Sequence, residues 1–128
     1  MIMLDTHILV WWLDQQSKLS TAQTMAIQNA GTLTVSAISL WEIAKLVENN
    51  RLSLNRPVLN WINDALTHPK IQLVPLTPEI MVLSTQLPGV FHKDPADQLI
   101  VATSIHLGIP LLTKDAKILG YSHIATIA

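Results

Sequence analysis

Nine acidic residues are spread along this chain, and five of them, Asp5, Glu42, Asp94, Asp97 and Asp115, stand where a short apolar run gives way to helical spacing or where a helix opens. Carboxylates gathered within several ångströms repel, so they share protons unless a divalent cation neutralises them. The sequence has no cysteine, and an all-oxygen donor set points to one or two Mg²⁺ or Mn²⁺ ions, not zinc. Such ions keep part of their water shell and polarise a phosphate oxygen, so the chemistry indicated is metal-assisted hydrolysis of a phosphodiester. Thr6 and Thr113 sit beside these acids and are placed to orient them. Lys93, Lys114 and Lys117, three of only eight basic residues, flank them and are candidates for contacts to a phosphate backbone. His7 and His92 are close enough in sequence to move protons. Trp11, Trp12, Trp41 and Trp61 occupy helical positions that suit core or interface packing better than base stacking.

Each acid also has a plainer use. "SLWE" at 39 to 42 has capping-box spacing, with Ser39 as the cap. "DPAD" at 94 to 97 places a proline at the first helical position, where Asp94 caps and Asp97 gains from the helix dipole. Asp5 and Asp115 can cap the helices that follow them. Capping does not account for a carboxylate inside "MIMLDTHILV", because burying it among apolar side chains is costly unless something pairs with it.

Four apolar runs, "IMLD", "LTVSA", "IQLVPL" and "IPLLTKD", each lead into a segment of helical spacing, and "HIATIA" reads as a closing strand. Ser20, Pro57 and Asp94 with Pro95 open three further helices, while Gly31 and Gly108 stand where helices should stop. Strand and helix alternation without hairpin signals predicts an α/β fold, a parallel sheet covered by helices on both faces. Right-handed crossovers then bring every strand's carboxyl end to one edge, where distant acids meet. Glu79 also follows a strand, and only the strand order decides its neighbours.

At 128 residues without an internal repeat, the chain fits a single domain spanning 1–128. Hydrophobic residues make up 49% and charged residues 13%, which leads us to expect an oligomer covering what the fold leaves bare. The absence of cysteine suits a cytoplasmic protein and excludes a zinc ribbon. The first apolar run lacks a basic leader or cleavage site, and no run approaches the roughly 20 apolar residues of a membrane span. A net charge of −1 gives no global nucleic-acid footprint, so any such role rests on a local site.

"MLDTH" at 3 to 7, "VSAISLWEIA" at 35 to 44, "FHKDPADQLIVATS" at 91 to 104 and "LLTKDAKI" at 111 to 118 resemble, in order and spacing, the motifs of PIN-domain ribonucleases. The likeness is greatest to VapC-like toxins of bacterial toxin–antitoxin pairs. It implies a three-layer domain with strand order 3-2-1-4-5, a homodimer, RNA as substrate and a cognate antitoxin that blocks the site. It matches Asp5, Glu42, Asp97 and Asp115 to a catalytic quartet that binds Mg²⁺ or Mn²⁺, and Asp94 to an extra aspartate of one branch. Where that branch commonly has arginine after the second aspartate, this chain has Gln98, which removes a charge contact and leaves the metal ligands untouched. Two other readings remain: a non-catalytic binding module, a decayed PIN domain whose acids serve only as caps, and a phosphoacceptor receiver-type domain. The receiver normally needs two adjacent acids after the first strand, and Asp5 stands alone.

Overall fold

The computed structural model describes residues 1–128. Five strands, β1 (Ile2–Leu4), β2 (Leu33–Ser36), β3 (Ile71–Val74), β4 (Leu111–Leu112) and β5 (Thr126–Ile127), form one parallel sheet in the order 3-2-1-4-5. The central strand β1 is in register with β2 through Ile2 and Leu33, and with β4 through Met3 and Leu111. Seven helices connect them: α1 (Thr6–Asp14), α2 (Thr21–Asn29), α3 (Ala37–Glu48), α4 (Val58–Leu66), α5 (Pro78–Ser84), α6 (Pro95–Leu107) and α7 (Ala116–Leu119). A 3₁₀ turn over Gln16–Lys18, which the sequence spacing does not signal, follows α1.

Because strand side chains alternate, β1 feeds two cores. Ile2 and Leu4 pack with Ile8, Leu9, Ile27, Ile43 and Trp61 from α1 to α4. Met3 faces the opposite side, against Ile100 and Val101 of α6 and Ile118 of α7. Helices therefore cover both faces, giving the three layers expected, and β1 is apolar throughout because both of its sides are buried. Trp61 is fully buried, and its indole N–H donates to Asp14 Oδ2 at 3.0 Å, which satisfies the one polar atom that its burial would strand. No helix is long and apolar enough to cross a membrane.

Helix starts follow the sequence with one correction. Asp5, Ser20, Thr77, Asp94 and Asp115 all cap as side-chain acceptors. Ser39 does not. Strand β2 runs into α3 without a linker, so Ser36, the last strand residue, takes the cap by accepting from the Ile38 N–H at 3.2 Å. The helix thus begins at Ala37, Ser39 is enclosed within it, and Glu42 moves to its second turn, free of capping duty. Gly108 ends α6 in the left-handed region at φ +65°, whereas α2 ends on Ala30 in extended geometry and needs no such freedom at Gly31.

At the carboxyl edge of the sheet, the amide of the buried Gln23 donates to Thr113 O and Ile127 O, both at 3.1 Å. One side chain of α2 thereby spans the ends of β4 and β5.

Candidate active site

The carboxyl ends of β1, β2 and β4 and the start of α6 converge on one edge, as parallel crossovers require. Asp5 follows β1 and is only 6% exposed. Its Oδ1 accepts from the Thr6 N–H at 2.8 Å, and its Oδ2 accepts from the Thr113 hydroxyl at 2.7 Å. The Thr113 hydroxyl in turn accepts from the Asp115 N–H at 3.0 Å, so donor and acceptor sides of that oxygen are both fixed. Thr6 has a matching role toward α3: its hydroxyl donates to Glu42 Oε1 at 2.5 Å and lies 2.9 Å from the buried Ser39 Oγ. Thr6 and Thr113 thus donate hydrogen bonds to two of the acids, Glu42 and Asp5.

At the start of α6, Asp94 Oδ1 accepts from the Asp97 N–H at 3.0 Å. Asp97 points inward, its side chain 16% exposed, and His92 Nε2 lies 2.9 Å from its Oδ2, off the line of a hydrogen bond and an ion pair only when the imidazole is protonated. Gln98, at the position where an arginine was expected by resemblance, donates from its amide to His92 O at 3.1 Å and pins the loop carrying His92. Asp115 Oδ1 caps α7 by accepting from the Lys117 and Ile118 N–H groups at 2.8 and 3.2 Å.

Glu42, Asp94 and Asp97 each offer one carboxylate oxygen within 4.8 Å of the others. Asp5 and Asp115 stand outside that triad and line an adjacent cleft of about 250 Å³ with His7, Trp11 and Lys114. Asp94, expected first as a cap, thus both caps α6 and joins the tightest carboxylate group. The other four acids all act on Asp97. Burial, then Asp94, Asp5, Asp115 and Glu42 in turn, push the Asp97 carboxyl up to about 7. Burial also raises Asp5, against the hydrogen bonds from Thr113 and Thr6, and raises Glu42 against the bond from Thr6. The salt bridges made by lysine and arginine, Lys45 to Glu48 and Arg56 to Asp64, leave these acids without a lysine or arginine partner, and His92 beside Asp97 is their one basic neighbour among the ion pairs. Converging oxygens, half-buried at Glu42 and Asp97 and exposed at Asp94, and uncompensated by lysine or arginine, are a donor set that a hard divalent cation fits.

The remaining candidates fall around this cluster. Lys93, Lys114 and Lys117 are exposed, and Lys114 faces the cleft of Asp5 and Asp115. Glu79 is exposed on α5, after the edge strand β3, and is not part of the triad. Of the four indoles, Trp61 is core, Trp11 and Trp12 are half-buried, and Trp41 is 55% exposed beside Glu42. Sequence reasoning missed Ser39 as the neighbour of Thr6; its signal was present, as the residue one helical turn before Glu42, but was read as a cap. Gln98 as a loop tether had no signal of its own.

Comparison with known proteins agrees with this arrangement. The sequence model of the PIN domain matches residues 2–124. The chain is 39% identical over 122 residues to Ribonuclease VapC22 of Mycobacterium tuberculosis, a match covering 95% of this chain and 92% of that protein. VapBC2 from Rickettsia felis, solved bound to a DNA fragment from its promoter, superposes with a TM-score of 0.70 at 16% identity, covering 99% of this chain and 98% of that one. A toxin–antitoxin complex from Klebsiella pneumoniae superposes at 0.69 with 15% identity, covering 100% of this chain and 97% of that one. At such identities these two structures speak for the fold, while the sequence match over nearly the whole length speaks for kinship: the chain belongs to the PIN domain family.

Proposed function

We propose that this protein is a ribonuclease dependent on Mg²⁺ or Mn²⁺, acting as the toxin of a toxin–antitoxin pair. The observation that carries this reading is the group of Glu42, Asp94 and Asp97 oxygens within 4.8 Å, without a lysine or arginine partner. Kinship with a protein named a ribonuclease, and likeness to chains solved in toxin–antitoxin complexes, support the substrate and the partner. In this reading Asp5, Glu42, Asp97 and Asp115 hold the ion, and Asp94 adds a carboxylate at the rim. When bound, the ion supplies positive charge to a phosphate oxygen and makes water a better nucleophile near neutral pH. The chain's own part is positional. Thr113 and Thr6 keep Asp5 and Glu42 in single orientations, and Lys114 offers the phosphate a cation beside Asp115. The exposed apolar side chains of Trp41, Leu59, Leu73, Met81 and Val82 support the homodimer, with a solution mass of twice 14.2 kDa expected by light scattering.

Asp97→Asn keeps the shape of the site and removes a charge. It is expected to abolish RNA cleavage while folding normally, and in chelator it should unfold at a temperature equal to or above that of the wild type, because repulsion is relieved. Mn²⁺ at a hundred times its dissociation constant should stabilise the wild type by about 2.7 kcal/mol and the variant by far less. A second reading is favoured by the capping bonds of Asp5, Asp94 and Asp115: the acids are structural, and the domain only binds a partner. Cleavage undiminished in Asp97→Asn, or a lowered midpoint in both buffers with no Mn²⁺ response, would establish that reading instead.

A further inference from the structure

Three of the eight basic side chains are engaged elsewhere: Lys45 with Glu48, Arg56 with Asp64, and Lys70 with Ile27 O. The other five have no carboxylate partner, and they are not scattered evenly. Lys93, Lys114 and Lys117 border the acidic cluster in the chain, and Lys18 and Arg51 line a second cleft, of about 180 Å³, between α1 and the end of α3. This cleft shares His7 and Trp11 with the cleft of Asp5, Asp115 and Lys114, so the two adjoin across those side chains. Lys18 is not simply a solvated tail. Its ammonium lies 5.7 Å from the Trp11 ring centroid, a cation–π contact that holds it over the furrow floor. The acids draw a cation and the furrow beside them draws anions. Those two demands are met together by a phosphodiester strand whose scissile phosphate meets the metal and whose neighbouring phosphates continue along α1.

We propose that the furrow from Lys114 past His7 and Trp11 to Lys18 and Arg51 is the path of the single-stranded RNA next to the cut bond. This rests on the ribonuclease reading above. From Asp5 to Trp11, whose ring carries the Lys18 ammonium, the chain advances six residues along α1, roughly 9 Å at ~1.5 Å per residue, more than twice the ~3.4 Å axial spacing of phosphates in a stacked strand. More than one phosphate therefore fits between the acids and the Lys18 end. The contacts are to backbone charge and not to base edges, so the furrow fixes the strand's direction and register without choosing its sequence.

The test is binding of a fluorescent 20-nucleotide single-stranded RNA of mixed sequence, measured in Ca²⁺ over a range of salt, alongside its cleavage in Mn²⁺. The variants are Lys18→Gln with Arg51→Gln, and, as a control, Arg56→Gln, whose partner Asp64 lies on α4. The double variant should unfold like the wild type, bind about tenfold more weakly, and lose about 1.4 from the salt slope, which is ~0.7 for each phosphate contact on a single strand. The loss should be the same for a second RNA of different sequence, and Arg56→Gln should leave both quantities unchanged. Unaltered affinity and slope in the double variant, with cleavage intact in the wild type, overturn the furrow and leave the ribonuclease standing. A double variant that changes solution mass assigns the furrow to a second copy of the chain and also overturns it. A wild type that neither binds nor cuts RNA overturns both readings.

Discussion

Thr113 ties together two of the five acids, Asp5 and Asp115. Its hydroxyl donates to Asp5 and accepts from the Asp115 N–H, so Thr113→Ala strands a buried carboxylate oxygen and frees the loop carrying Asp115. The expected cost is about 1 to 3 kcal/mol of stability, with RNA cleavage lowered about 10- to 100-fold; Thr113→Ser keeps the hydroxyl and should recover most of both. Equal loss in the two variants would assign the effect to packing of the methyl group. The acids also set a pH dependence. Asp97 sits at about 7 in the fold, raised by burial and then by its acidic neighbours, against about 3.9 in an unfolded chain. The folded state holds that proton more tightly, so its contribution is greatest below the unfolded value and is lost as pH rises through the folded one. Without metal, the unfolding midpoint of the wild type relative to Asp97→Asn should therefore fall between about pH 4 and pH 7. Binding Mn²⁺ requires the ionised form, so stabilisation by the ion should grow over the same interval. A flat difference across that range would mean the carboxylates do not interact.

At the scale of elements, α6 starts with a residue serving two masters. Asp94 caps the helix and also contributes to the carboxylate triad, and the two roles respond differently to substitution. Asn caps about as well as Asp, so Asp94→Asn should leave metal-free stability unchanged or higher, whereas Asp94→Ala should lower it by about 1 kcal/mol. Thermal unfolding in chelator separates them; an equal loss in both would mean that the charge itself stabilises α6. The start of α3 shows why part of the site was legible in sequence and part was not. Asp5 and Asp115 close apolar runs, and Asp94 and Asp97 flank the proline that opens a helix, and those local signals place them at strand ends and helix starts. Glu42 was placed at the right edge, yet its turn was misassigned, because "SLWE" satisfies capping spacing and nothing local says that β2 joins α3 without a linker. The triad geometry was not legible at all. Asp94 approaches Glu42 through the packing of α3 against α6, a contact between segments about fifty residues apart that no pattern along the chain encodes. Likewise, Trp41 has the helical setting of a packing residue, and only the tertiary structure leaves it exposed.

For the whole molecule, the strand order places β1 in the middle of the sheet, with β2 and β3 on one side and β4 and β5 on the other. The edge that carries the acids is therefore closed from both ends of the sequence, and α2 secures it through Gln23, whose amide spans Thr113 O and Ile127 O. Gln23→Ala should loosen β5 first, seen as faster amide exchange at Thr113, whose N–H donates to Ile127 O at 3.2 Å, while the amides of β2 remain protected. Uniform acceleration across the sheet would show instead that the sheet opens as one unit. The pairing of β1 with β4 also has a consequence in time. Asp5 and its hydroxyl partner Thr113 are 108 residues apart, and at about 5 to 20 residues per second a ribosome takes roughly 5 to 20 s to make the second after the first. Throughout that interval the nascent chain carries its first acid without the hydroxyl that fixes its Oδ2. The proposed ribonuclease would thus be kept from assembling its site while it is still tethered to the RNA machine that makes it, and chains released after residue 110 should show neither cleavage nor stabilisation by Mn²⁺.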